Sequence, residues 1–198
     1  MQIRFIADKI SHSFDRKKVL NDISFALSEG ENCVITGANG SGKSTLIKIC
    51  AGLLHETLGC SSLMIDGKRV PRSGSQNIAI AAPWIRWYPT LSLLQNSSFF
   101  FRNGDDIIRV QKFCSLFELP AHAPLAEFST GMIQRYALAA SLGSSAPLLL
   151  LDEPTEHLDQ KGKDLFHELF HARSKNRAAI IATHDNEESH ASWRITLA

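Results

Sequence analysis

The residues Gly37-Ala38-Asn39-Gly40-Ser41-Gly42-Lys43-Ser44-Thr45 fit the phosphate-binding pattern G-x-x-x-x-G-K-[ST] at every fixed position. Glycines at 37, 40 and 42 open backbone conformations closed to residues bearing a Cβ, so that successive N–H groups can turn inward around a phosphate. A helix starting after the loop adds unpaired N–H groups and a positive dipole end. In such a loop Lys43 is placed to reach the β- and γ-phosphates and the Ser44 hydroxyl to ligate Mg2+. Nucleotide binding is therefore the chemistry expected of Gly37, Asn39, Gly40, Ser41, Gly42, Lys43, Ser44 and Thr45.

A second group of reactive residues follows the leucine run Leu148 to Leu151: Asp152-Glu153-Pro154. A carboxylate at the carboxyl end of a buried parallel strand lies where open α/β sheets place their ligands. Asp152 is expected to hold the Mg2+ that bridges the β- and γ-phosphates. Glu153, pointing elsewhere, is expected to orient or deprotonate the attacking water. Taken without the loop, the two acids are equally compatible with a solvated strand end.

The elements needed to position these groups are readable around them. Asn32-Cys33-Val34-Ile35-Thr36 reads as a short apolar strand entering the loop, and Leu46 to Ala51 as the helix leaving it. Residues 2 to 8 and Ile23 to Leu27 suggest an amino-terminal β region, with a turn at 15–18. Strands are expected at 61–65, 77–82, 148–151, 178–183 and 195–197. Leu165, Phe166, Leu169 and Phe170 mark an amphipathic helix between two of them. From Thr90 to about Leu142 the pattern is helical, with Ile107, Val110, Cys114 and Phe117 at helical spacing and a third helix beginning near Ser129. The fold class expected is α/β: a P-loop NTPase core with a largely parallel sheet, an amino-terminal antiparallel β region, and a helical subdomain inserted at approximately 84–142 in a single domain over 1–198.

The 198 residues allow one domain with a full core. With 44% hydrophobic and 21% charged residues and a net charge of +1, the composition is that of an ordinary globular protein, and no basic run suggests nucleic-acid binding. Cys33, Cys50, Cys60 and Cys114 have no C-x-x-C spacing and read as free thiols, hence a reducing cytoplasm. Charge interrupts the amino terminus too early for a signal peptide. The longest strongly apolar run, Ala146 to Leu151, falls far short of the roughly 20 residues of a membrane helix. Work at a membrane would need spans from another chain.

Between the two reactive groups lies Phe128-Ser129-Thr130-Gly131-Met132-Ile133-Gln134-Arg135. Here the chain resembles the ATP-binding subunits of ABC transporters, whose signature L-S-G-G-Q precedes a helix shortly before the apolar strand and D-E-P. Phe128, Thr130 and Met132 depart from that signature; Ser129 and Gly131, the positions that meet the γ-phosphate in the family, are kept. The resemblance spans nearly the whole chain. It implies that Phe14 stacks on adenine, the alternative being a core aromatic. It implies that Thr155-Glu156-His157-Leu158-Asp159 is the D-loop, with Asp159 at the nucleotide interface, and that His184, in Thr183-His184-Asp185, is the switch histidine reaching the γ-phosphate. Glu153, His184 and Lys43 are then the catalytic group, with ATP and Mg2+ as ligands.

The family carries a metal-sensing Gln after the strand entering the helical subdomain, and an ungapped alignment anchored on Tyr88-Pro89 places Pro83 there. Trp84 and Trp87 nearby either dock a membrane partner or pack inside the subdomain. The resemblance further implies a head-to-tail dimer, each ATP lying between one chain's loop and the other's signature, bound to integral membrane subunits on the cytoplasmic face. A soluble ABC-type ATPase of a non-transport assembly is the alternative. A phosphate-loop kinase leaves the signature and D-loop segments unexplained.

Overall fold

The computed structural model describes residues 2–15, 17–72, 76–184 and 191–197; Asp185 of the histidine motif lies outside them. Five parallel strands form the central sheet. In chain order they are β3 (Asn32–Gly37), β6 (Ile78–Ala81), β7 (Leu148–Asp152), β8 (Ala178–Thr183) and β9 (Trp193–Leu197), and in space they run β6-β7-β8-β3-β9. The loop strand β3 thus lies between β8 and β9, so the ends that carry Gly37, Asp152 and Thr183 emerge on the same side.

Strands β3, β6, β7 and β8 are covered on both faces, which explains their apolar runs. Along β7, Leu149 and Leu151 join one core and Leu148 and Leu150 the other; along β8, Ala179 and Ile181 alternate in the same way with Ala178, Ile180 and Ala182. Full burial of each such Leu or Ile contributes about 1.5–3 kcal/mol. The first core is closed by α3 (Gly104–Leu116), α4 (Thr130–Gly143) and α5 (Gln160–Ser174). The second is closed by α1 (Lys43–Cys50) and a four-stranded antiparallel sheet in the order β2 (Lys17–Ser28), β1 (Ile3–Phe14), β4 (Leu58–Ile65) and β5 (Lys68–Val70).

That amino-terminal sheet is larger than its sequence pattern indicates. Strand β1 runs Ile3–Phe14 and β2 runs Lys17–Ser28, joined in the sheet by β4 (Leu58–Ile65) and a short β5 (Lys68–Val70). The β1–β2 register shifts three times between Ala7 and Ser13, and Lys9 and Asp22 take positive φ of 50° and 52°. Each bulge moves the side chains to the opposite face, which breaks the period-2 alternation that marks a strand.

Helices α2 (Leu93–Phe100), α3 and α4 lie in the chain between β6 and β7. Helix α2 starts with a reciprocal capping box between Ser92 and Gln95. Helix α3 is capped by Asn103, with Asp105 and Asp106 in its first turn, and Ser129 caps α4. Val110, Phe113 and Cys114 turn inward on one face of α3, with Phe117 just beyond it. Arg177 is 4% exposed and donates to the carbonyls of Ser141, Leu142 and Ser144, which satisfies the carboxyl end of α4. Cys33, Cys50 and Cys114 are buried free thiols; Cys60 is exposed.

Candidate functional site

The loop between β3 and α1 has the geometry its glycines predict. Gly42 takes φ 103° at the start of α1, and a Cβ there would meet Val19 Cγ1 at 2.8 Å. No side chain caps α1, so its first N–H groups face the loop without a side-chain acceptor. A cleft of about 720 Å³ opens over this turn, lined by Phe14, Lys17, Lys18, Val19, the loop from Asn39 to Thr45, and Glu153. Phe14 is 50% exposed at the end of β1, so it is not a core aromatic; its ring meets His12 edge-on, with centroids 4.6 Å apart.

Lys43 is almost buried. Its ammonium donates to Gly37 O at 2.8 Å and Ala38 O at 3.4 Å, and lies 3.3 Å from Glu153 Oε1. The other oxygen, Glu153 Oε2, accepts from the His184 backbone N–H at 3.2 Å and lies 2.8 Å from His184 Nδ1. Glu153 sits at φ 50°, a conformation that costs a non-glycine residue about 1–3 kcal/mol. Two contacts hold that turn. Its N–H donates to Ala182 O at 2.8 Å, and buried Gln134 donates from Nε2 to Glu153 O and Pro154 O at 3.2 and 3.0 Å. Gln134 stands out in the sequence only as a retained neighbour of the signature; its link to the turn depends on how α4 packs.

Asp152 diverges from Glu153. It is 1% exposed, its Oδ2 accepts from the Trp84 indole N–H at 2.9 Å, and its Oδ1 is buried without a hydrogen-bond partner among the described residues. A buried ionised carboxylate with a single neutral donor is costly unless a cation joins it, which fits a divalent cation at this position. The side chain reaching the carboxylate from the segment after β6 is therefore Trp84, while Pro83 is exposed. Nor are the two tryptophans an exposed pair. Both are half-buried, and Trp87 packs edge-on against Phe100 and Tyr136 with centroids 5.1 and 4.7 Å apart.

Ser129, Gly131 and Asp159 lie together, and none of them lines the phosphate cleft of their own chain. Ser129 Oγ accepts from Met132 N at 3.3 Å. A Cβ on Gly131 would come 3.0 Å from His157 O, so the signature turn abuts the D-loop segment. Asp159 caps α5 through Gly162 N at 2.9 Å and pairs with Arg135 at 3.1 Å. The hydrogen bond from Gly162, aided by the charge of Arg135, holds its carboxyl below the usual range against the cost of desolvation.

A parallel α/β sheet with a glycine-rich loop opening a helix at its carboxyl edge, and paired acids at the end of β7, with β8 between it and the loop strand β3, defines a nucleotide-binding protein of the phosphate-loop class. The particular family follows from comparison. Residues 20–156 match the family model described as ABC transporter. The chain is 33% identical over 191 residues to the cytochrome c biogenesis ATP-binding export protein CcmA of Chelativorans sp. (strain BNC1), covering 92% of each chain. It is 36% identical over 193 residues to the probable iron export ATP-binding protein FetA of Escherichia coli (strain K12), covering 91% of this chain and 84% of that one. A solved ATP-binding subunit of an ABC transporter superposes with a TM-score of 0.83 at 24% identity, over 98% of this chain and 85% of that chain. The chain belongs to the ABC transporter family, as an ATP-binding, ATP-hydrolysing domain. No helix among the described residues is long and apolar enough to cross a membrane.

Proposed function

We propose that two copies of this chain close head to tail over two molecules of ATP, and that this closure drives transport through separate membrane subunits from the cytoplasmic face. One observation carries the reading: the phosphate cleft is lined by Phe14, the glycine-rich loop and Glu153 of one chain, whereas Ser129 and Gly131 lie outside it. A γ-phosphate in the loop is then enclosed only when an opposing chain presents its own Ser129 hydroxyl and the N–H groups at the start of its α4.

Phe14 stacks on the adenine, the N–H groups of Asn39 to Thr45 surround the phosphates, and Lys43 leaves its carbonyl contacts to meet them. Ser44 and Asp152 hold Mg2+. One carboxylate and one hydroxyl fit an ion that would take its remaining oxygen ligands from the nucleotide's phosphates and water. When bound it neutralises charge on the β- and γ-oxygens. Glu153 accepts a proton from the attacking water while His184 fixes the carboxylate and faces the γ-phosphate. Asp159, at the junction of signature and D-loop, signals closure between the chains. The helical subdomain, approximately 84–142, transmits the motion to the membrane partner.

In size-exclusion chromatography with light scattering, Glu153→Gln with ATP and Mg2+ is expected to elute as a persistent dimer. A monomeric variant, together with a parent chain that hydrolyses no ATP, contradicts the proposal. Co-purification separates transport from a soluble assembly: integral membrane subunits are expected.

A further inference from the structure

The indole of Trp84 stands between the two elements that carry the metal ligands proposed above. On one side its N–H donates to Asp152 Oδ2 at 2.9 Å. On the other, the Lys48 ammonium lies 5.2 Å from the ring centroid. Lys48 is four residues after Ser44 on α1, so the two project from the same helix face. Trp84 thus spans from the Ser44 face of α1 to the carboxyl end of β7, and a cation over its ring makes the N–H a stronger donor toward a carboxylate.

Indole nitrogen has one proton to donate and no lone pair to offer a metal. It can hold a carboxylate but cannot ligate the ion. With Oδ2 committed to Trp84, Oδ1 is the oxygen left buried and, among the described residues, unpartnered. We propose that Trp84 is a positioning residue for metal binding: its N–H fixes the Asp152 side chain so that Oδ1 alone is offered to the Mg2+ of bound MgATP. This rests on the reading of Asp152 as the metal ligand. It predicts that Trp84 governs affinity for the metal and leaves affinity for metal-free ATP unchanged, since Trp84 does not line the phosphate cleft.

The test uses the full chain and Mn2+ as the probe, its binding to the ATP complex followed by electron paramagnetic resonance. Trp84→Phe, which keeps the ring and loses the donor, is expected to weaken Mn2+ binding about 10-fold, in the range found when groups orienting a metal ligand are removed. ATP binding in the presence of chelator should not change. Trp84→Gln, which restores an N–H, should recover most of the loss. The emission change on adding Mg2+ to the ATP complex should disappear in Trp84→Phe and persist in Trp87→Phe and Trp193→Phe.

Asp152→Asn separates the two readings. If it weakens Mn2+ binding while Trp84→Phe does not, Trp84 has no positioning role and Asp152 remains the ligand. If Asp152→Asn binds Mn2+ like the parent, the metal reading fails and this inference with it. Should Trp84→Phe not fold, the Trp84 indole resonance in the parent labelled with 15N-tryptophan, assigned by elimination with Trp87→Phe and Trp193→Phe, decides the matter. It is expected to shift when Mg2+ is added to the ATP complex, and an unmoved resonance overturns the proposal.

Discussion

Glu153 lies between Lys43 and His184, one carboxylate oxygen 3.3 Å from the ammonium and the other 2.8 Å from the imidazole Nδ1. One acid thus restrains the cation meant for the phosphates and engages the histidine at the end of β8. On the proposed mechanism, ATP binding loosens the first contact and hydrolysis uses the second.

Substitution of Glu153 by Gln removes the charge that attracts Lys43 and, on the proposed mechanism, the base that takes a proton. Turnover is expected to fall by about 10²–10⁴-fold, the usual loss when a general base is removed. ATP affinity, measured by calorimetry, should hold or rise because Lys43 no longer leaves an ion pair to meet the phosphates. A drop in affinity would show that the pair organises the loop instead of restraining it.

Gln134→Leu tests how the strained turn is held. The change leaves the Glu153 and Pro154 carbonyls without the side-chain donor at 3.2 and 3.0 Å. Glu153 O still accepts from Glu156 N at 3.2 Å, so Pro154 O is the buried acceptor that loses its donor. Such a loss costs about 1–3 kcal/mol, and urea unfolding should report a destabilisation of that size. Turnover should fall with it, while ATP affinity stays close to that of the parent because Gln134 does not line the cleft.

Phe14→Ala is expected to weaken ATP binding without lowering stability, since the ring is half exposed. Stacking of a base on an aromatic side chain contributes about 1–3 kcal/mol, which corresponds to about 5- to 150-fold in affinity. Phe14→Trp should keep the affinity, and GTP should lose as much as ATP in the alanine variant because a π-face does not distinguish the two bases.

Thiol titration tests the burial pattern. Burial pushes the Cys33 and Cys114 thiols up to about 12 from an ordinary 9.0, and raises Cys50 further. Near pH 8 an aromatic disulfide reagent should therefore label only exposed Cys60 quickly in the native chain, and all four cysteines after denaturation. The sign of the linkage follows. Between about pH 9 and 12 the unfolded chain releases these protons and the folded chain keeps them, so stability falls as pH rises through that window.

Signals that depend on near neighbours were legible in the chain. The strands entering the loop and carrying the acids match β3 and β7 closely, and α4 starts at its Ser129 cap as expected. The full reach of β1 and β2 was not legible, because bulges at Lys9 and Asp22 scramble the alternation. The alignment that put Pro83 opposite the metal site missed the neighbouring residue that reaches it, since register within a loop is not encoded in periodicity.

By itself the sequence determined the phosphate loop, the acid pair and the family, because a glycine turn, a helix cap and an apolar strand end are set by residues within a few positions of one another. Tertiary structure alone decided which side chains meet. Trp84 and Asp152 are 68 positions apart, Glu153 and His184 31, and Arg135 and Asp159 24. Such contacts arise only when strands order themselves β6-β7-β8-β3 and helices pack across them. The order depends on burying both faces of one sheet at once, a condition that no local stretch of the chain can express.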